Sequence, residues 1–310
     1  MKKLLIAAAL AAVAVIAAML LTYKPVRKDY LNTGVLGYLG TTEKEFQEGF
    51  DEFRNFIISS DNKDNFEKNT FFSSLSEKRR VIHFYDSLMA LMMDLRAARL
   101  DEIILPESVA QYLLSHNSFY KNVFSIDVLK SGICFGFTES NKDLRASFDN
   151  AIKDMEADGT LEKLKNLYVE NFNERNNKPM RPDTIAAAEE LRVAVTGDMP
   201  PIDMFAGDGK PMGYNTAILS EIGKRLGKNI SFVNTDAGGR SAALTSGRAD
   251  VVFWYRATKS NIEGQDPFDD LFRDVPEGII LSVPYYLWDN EFIIRMKENK
   301  GILDFLSSEE

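Results

Sequence analysis

Cysteine is almost absent from this 310-residue chain: Cys134 stands alone. One cysteine excludes an internal disulfide, a CxxC redox motif and any cysteine-based zinc site. It sits in the apolar run GICFGF, where a small buried hydrophobe is the expected role. Histidine is nearly as scarce. His83 and His116 are the only two, and neither belongs to an HExxH pair, so neither a metal nor a cofactor is expected. The phosphate and nucleophile motifs GxxxxGK[ST], GxGxxG and GxSxG are also missing, which leaves catalysis little to stand on. Positive charge is in deficit, with 37 Lys and Arg against 46 Asp and Glu and a net charge of −9. A nucleic-acid binder needs a basic face to displace counterions from phosphates, and this acidic balance argues against that class.

An apolar fraction of 45% is what a folded chain with a real core carries, and the length suggests two domains or lobes. Residues 1–21 form a separate unit. MKK precedes Leu4–Leu21, eighteen apolar residues without a charge. This is either a secretory signal or a membrane anchor. Cleavage after Ala12–Ala14 would leave VIAAMLL as an exposed apolar terminus, so an uncleaved anchor with the bulk outside the cytoplasm is the favoured expectation. No cysteine lies near its end, which excludes a lipid anchor there.

Further along, LNTGVLGYLGTT (31–42) suggests a strand ending in a Gly-Thr-Thr turn. Phe46, Phe50, Phe53 and Ile57 then repeat as one face of an amphipathic helix. VIHFY (81–85) predicts a strand, followed by a helix over about 86–100, the strand DEIIL (101–105) and a helix around 109–114. GICFGFTES (132–140) predicts another strand. Leu144, Phe148, Ile152 and Met155 predict a helix that Gly159 ends, with Thr160 as a candidate cap for LEKLKNLYV. The polar, proline-containing stretch NFNERNNKPMRPDT reads as a linker. After it LRVAV, GYNTAILSEIGKRLG, NISFV, SAALTS and ADVVFWY make a β-α-β-α-β series. The expected fold is α/β: two lobes, each a mostly parallel sheet with helices on both faces. Such sheets hold ligands beyond the carboxyl ends of their strands. The loops after Leu39, Leu105, Val195 and Tyr255 are therefore the places to look.

LRVAVTGDMPP, DGKPMGYNTAILSEIGKRLG, ALTSGRADVVF and LSVPYY together resemble the first lobe of the family 3 bacterial extracellular solute-binding proteins, the amino-acid-type receptors of ABC transporters. GYLGTT, YDSLMALMMDLRAARLDEIIL and GFTESNKDLRASFDNAIKDMEADGTLEKLKNLYVE resemble that family's second lobe and C-terminal helices. The order is exchanged, as in a circular permutation. Residues 29–172 correspond to the second lobe plus the C-terminal helices, 173–189 to a linker, 190–296 to the first lobe and 297–310 to a tail returning to the second. A tandem receptor that lost both outer halves, and pairs them between two chains, is the rival account.

The resemblance implies a type II periplasmic-binding-protein fold whose lobes close on a small ligand. It places ligand contacts at Asp198 and Met199, at Trp254–Ala257 including Arg256, and at Gly40, Thr41 and Thr42, whose backbone amides suit an anion. Several positions depart from the family pattern. Met199 replaces an aromatic platform, Ile202 a common Phe, Ile262 a carboxylate-clamping Arg, and Pro106 an ammonium-binding Asp, with Glu107 beside it. Without those charges an α-amino acid would bury unpaired groups at a cost of several kcal/mol. Arg256 could take over the carboxylate, since a guanidinium grips it with two bonds. The expected ligand is a small molecule, an amino acid or organic acid, delivered to an ABC permease at the outer face of the cytoplasmic membrane. An aromatic or organic acid held by Trp254 and Arg256 is favoured over a standard α-amino acid. Bland roles compete for the same residues: Trp254 as core, Arg256 paired with Asp250 or Asp289, Asp198 as a turn former, Thr41 and Thr42 as helix caps. A sensor acting through a membrane partner is one alternative. A dehydratase-like enzyme using Glu107 or Asp198 is another.

Overall fold

Residues 34–39, 80–85, 87–172, 184–257 and 277–297 are described by a computed structural model. In chain order the elements are β1 (Gly34–Leu39), β2 (Arg80–Tyr85), α1 (Leu88–Arg96), β3 (Glu102–Pro106) and α2 (Glu107–His116). The long strand β4 (Tyr120–Thr138), α3 (Lys142–Ala157) and α4 (Thr160–Lys165) follow. Beyond the linker come β5 (Glu190–Val195), β6 (Asp198–Met199), β7 (Asp203–Phe205), β8 (Pro211–Met212) and α5 (Tyr214–Leu226). The series ends with β9 (Asn229–Asn234), α6 (Arg240–Thr245), β10 (Val251–Ala257), β11 (Ile279–Leu281) and β12 (Tyr286–Met296).

Two parallel triads organise the molecule. β2-β1-β3 forms one and β10-β5-β9 the other, each with its earliest strand in the middle. Crossover connections through helices require that parallel arrangement. Between the triads run β12 and β4, antiparallel to each other, so the ladder reads β2-β1-β3-β12-β4-β10-β5-β9. The triads are the two lobes of the expected α/β fold, and the pair β12–β4 is the connection between them. β12, the last strand in the chain, lies between β3 and β4.

The first-lobe elements follow local sequence rules. On α5 the spacing of Ile218 and Ile222 keeps both on the core side, where each is fully buried. Full burial of such a side chain contributes about 1.5–3 kcal/mol. Gly227 ends the helix at φ +62, the left-handed conformation that glycine adopts without a Cβ penalty. On α3, Phe148, Ile152 and Met155 are buried and Leu144 packs against the same cluster, as their spacing predicts.

Two expectations change. The strand expected at 132–140 is the second half of β4, which begins at Tyr120. Its first half, YKNVFSIDVLKS, interleaves polar residues and pairs with β12, from Tyr120 opposite Met296 onward. Thr160 is the first residue of α4 rather than its cap; its amide donates to the Asp158 carboxylate over 3.0 Å. Asp250 is gripped by Arg192, with Nη2–Oδ1 at 2.7 Å and Nε–Oδ2 at 3.1 Å. No described helix is long and apolar enough to cross a membrane; Leu4–Leu21, the 46–57 face and the tail 301–310 lie outside the described residues.

Candidate functional site

The carboxyl end of β5 runs into Thr196, Gly197, Asp198 and Met199. Gly197 has φ +69, and a Cβ there would stand 2.1 Å from the Phe205 ring, so only glycine fits. The turn is held from inside by Asp203, a residue the sequence reading passed over. Its Oδ2 accepts from Thr196 N (3.1 Å), Gly197 N (3.1 Å) and Thr196 Oγ1 (2.8 Å). Asp203 is 3% exposed, and Oδ1 has no hydrogen-bond partner among the described residues. Burial pushes its carboxyl upward, its three donors oppose that, and the neighbouring Asp198 charge adds to it. Thr196 Oγ1 also stands 2.7 Å from Asp198 Oδ1. One hydroxyl carries one proton, so it serves one of the two carboxylates at a time. Met199 is buried at 5% exposure beside Ile202 at 1%.

Trp254 is half-buried and packs on Ala194, Ala243, Leu244, Ala249, Val252 and Ile279. Its carbonyl accepts from Cys134 Sγ over 3.5 Å, and Cys134 is fully buried as expected. The indole therefore has the core role set out as its bland alternative, with part of its surface still open. Arg256 is placed on β10 opposite Gly132; its side chain, like all of Gly40, Thr41, Thr42 and Ile262, lies outside the described residues.

In the second lobe Pro106 closes β3 and precedes α2. Glu107 opens that helix and accepts from Gln111 Nε2 over 2.7 Å. Directly across the ladder from Pro106 stands Glu291 on β12, 3% exposed. The Tyr38 hydroxyl donates to its Oε2 over 2.7 Å. Burial pushes the Glu291 carboxyl up to about 7 against the pull of Tyr38 and Trp288.

The crossing between lobes is fastened on both sides. Asp149 Oδ1 accepts from Val283 N over 2.8 Å, and Ser282 Oγ accepts from Phe135 N over 2.9 Å. Tyr285 stacks on Phe135 with ring centroids 4.5 Å apart and donates to Asn215 Oδ1 over 2.7 Å. Tyr286 packs edge-on against Tyr214 at 5.4 Å, and burial pushes its phenol up to about 12 with the Ser108 hydroxyl opposing. Both tyrosines thus pack where the two lobes join.

The structure brings Asp198, Met199 and Trp254 to one end of the first lobe, since β5 and β10 are adjacent parallel strands. Glu107 sits at the corresponding end of the second. Asp203 and Glu291 could have been suspected only as acidic residues flanked by apolar ones, in PPIDMF and DNEFII.

Two parallel triads joined by a crossing antiparallel pair make an α/β architecture suited to holding a ligand between strand ends. Residues 191–260 match the sequence profile of the bacterial extracellular solute-binding proteins, family 3, and that stretch spans β5 to β10, the whole first triad. No curated protein matches the chain. Among solved structures it is similar to the ligand binding component of an ABC-type import system from Staphylococcus aureus with zinc bound (11% identity, 88% of this chain and 68% of that one, TM-score 0.38). It is also similar to a putative methionine-binding lipoprotein from Bacillus subtilis (8% identity, 89% of each chain, TM-score 0.34). A third is the OxyR regulatory domain from Pseudomonas aeruginosa (9% identity, 87% and 92%, TM-score 0.34). Likeness of that degree assigns no function; the profile match is what upholds the resemblance read in the sequence.

Proposed function

We propose that this protein is an extracytoplasmic solute-binding protein that captures a small molecule between its two lobes and presents it to an ABC permease. The observation that carries this reading is the family 3 match over residues 191–260, the complete first triad. The ligand is an amino acid or organic acid. Its contacts are Asp198, Met199, Trp254 and Arg256 from the first lobe and Thr41, Thr42 and Glu107 from the second. Leu4–Leu21 tethers the chain at the outer face of the cytoplasmic membrane. No catalytic role is proposed for the acids; Glu107 accepts from Gln111, and Asp198 Oδ1 lies 2.7 Å from the Thr196 hydroxyl. A thermal-shift screen against small metabolites tests capture, since a ligand at a hundredfold excess over Kd adds about 2.7 kcal/mol of stability. Failure across a broad acid and amino-acid panel overturns it. Recovery of the full-length protein in the soluble periplasmic fraction overturns the tether.

The chain order is that of a circular permutation within one molecule. Two observations support this: β12 lies between β3 and β4, and Arg225 on α5 bridges back to Asp158 at the α3–α4 junction. A gene encoding residues 190–310 followed by 31–172 restores the unpermuted order. It should yield a folded monomer; an obligate dimer of the native chain favours paired half-receptors instead.

A further inference from the structure

We infer that the space between the lobes is latched by the chain itself, with Met199 as the latch, so that the lobes must part at this contact before a ligand enters. The inference rests on the capture reading for where a ligand goes, while the contact stands independently of it. The loop 196–199 follows β5 and α1 follows β2, so each lies beyond the carboxyl end of a parallel strand in its own lobe. Those ends are where open α/β sheets hold ligands. Yet β6 lies directly against α1, one lobe on the other. Met199 at 5% exposure and Met92 of α1 at 6% belong to one continuous apolar cluster that also holds Leu88, Leu91 and Ile202. On the same helix Met89 and Met93 are 66% and 61% exposed, so α1 has one face covered and one open.

Within that cluster the contact has properties that suit a latch. An unbranched thioether adapts to an irregular gap and withdraws from it at little cost in shape. The loop that carries it is rigid toward its own lobe, because Asp203 accepts both loop amides and the Thr196 hydroxyl. Met199 therefore does not lift away with its loop; the lobes separate as units, with the crossing segment 282–288 as the hinge. A receptor whose open state is a minor population binds with its affinity reduced by that fraction, so the latch sets a threshold for capture.

Peroxide oxidation of the full-length chain, read methionine by methionine, tests this, because oxidation follows exposure. In the native protein Met89 and Met93 oxidise fast, while Met92, Met199 and the core residue Met155 are protected. In Met199→Ala the expected result is a clear acceleration at Met92 with Met155 unchanged, and Met199→Leu restores protection. Unchanged protection of Met92 in Met199→Ala overturns the latch and leaves Met199 as core of its own lobe. Parallel acceleration at Met92 and Met155 also overturns it, since that reports global loosening. Neither result depends on a ligand, so failure here is distinguishable from failure of the capture reading.

Discussion

Asp203 on β7 and Glu291 on the connecting strand β12 are both buried carboxylates, and they are held in different ways. Asp203 accepts two backbone amides and a hydroxyl at a single oxygen, within seven residues of sequence. Glu291 accepts the hydroxyl of Tyr38, a residue 253 positions away. A carboxylate that satisfies buried amides is part of the backbone's own hydrogen-bonding requirement and cannot be removed without orphaning them. A carboxylate held across a sheet by a phenol instead carries a protonation problem. The contrast separates a structural staple in the 196–199 loop from a pH-sensitive element on the connecting strand.

The largest effect should come from Asp203→Ala. It strips acceptors from the Thr196 and Gly197 amides at once, and each orphaned buried donor costs about 1–3 kcal/mol. A loss of about 3 kcal/mol in chemical denaturation is expected, with Asp203→Asn milder because an amide oxygen still accepts. Equal melting of Asp203→Ala and the native protein would erase the contrast.

Glu291→Gln comes next and acts through pH. The folded carboxyl is raised to about 7 from the ordinary value near 4.5, so the folded state holds its proton longer than the unfolded chain. The stability it contributes is fully present below about 4.5 and is lost as pH rises toward 7. Glu291→Gln cannot ionise and should flatten that part of the profile, gaining on the order of 2 kcal/mol over the native protein at pH 8. Parallel stability curves from pH 4 to 8 would show that Glu291 is no more perturbed than a surface acid.

What the sequence made legible follows the same division. In the first lobe, β5, α5, β9, α6 and β10 could be placed because each is written in local periodicity and closed by Gly227 or a turn. The second lobe's strands were found, yet β12 was not and β4 was found only in part. Their ladder pairs Met296 with Tyr120, and no local pattern encodes a partner so far away. The small sheet β6–β8 escaped because two- and three-residue strands carry no period. Asp198, Met199 and Trp254, named as ligand contacts from the family resemblance, lie at neighbouring strand ends of the first lobe. Met199, which stands where the family resemblance implies an aromatic platform, is 5% exposed and belongs to the apolar cluster. Asp203 was missed because its role depends on the turn it stabilises rather than on its neighbours in sequence.

The connection between the lobes offers a smaller effect. Tyr285→Phe keeps the stack on Phe135 but leaves Asn215 Oδ1 without its phenol donor. The expected loss is about 1 kcal/mol, with the crossing segment 282–288 exchanging its amide hydrogens faster than either triad. Uniformly faster exchange would mean that the segment is not a separate hinge.

The smallest effect belongs to Arg225→Met, which tests whether the early helices are part of the first lobe. Arg225 Nη2 donates to Asp158 Oδ2 over 2.7 Å and Nε to Glu221 over 3.1 Å, with Asp158 well exposed. The Thr160 hydroxyl and Arg225 hold the Asp158 carboxyl down at about 2. A depressed acid contributes stability above its ordinary pKa near 3.8 and loses it as pH falls through the folded value. Solvent and salt screen such a pair, so at neutral pH the variant should differ little from the native protein, and less still in high salt. The informative readout is the junction itself: amides of 158–162 should lose exchange protection in Arg225→Met while those of β5 and β9 keep theirs. Protection unchanged at the junction would mean that α3 and α4 are held to the first lobe by apolar packing alone, through Phe148, Ile152 and Met155.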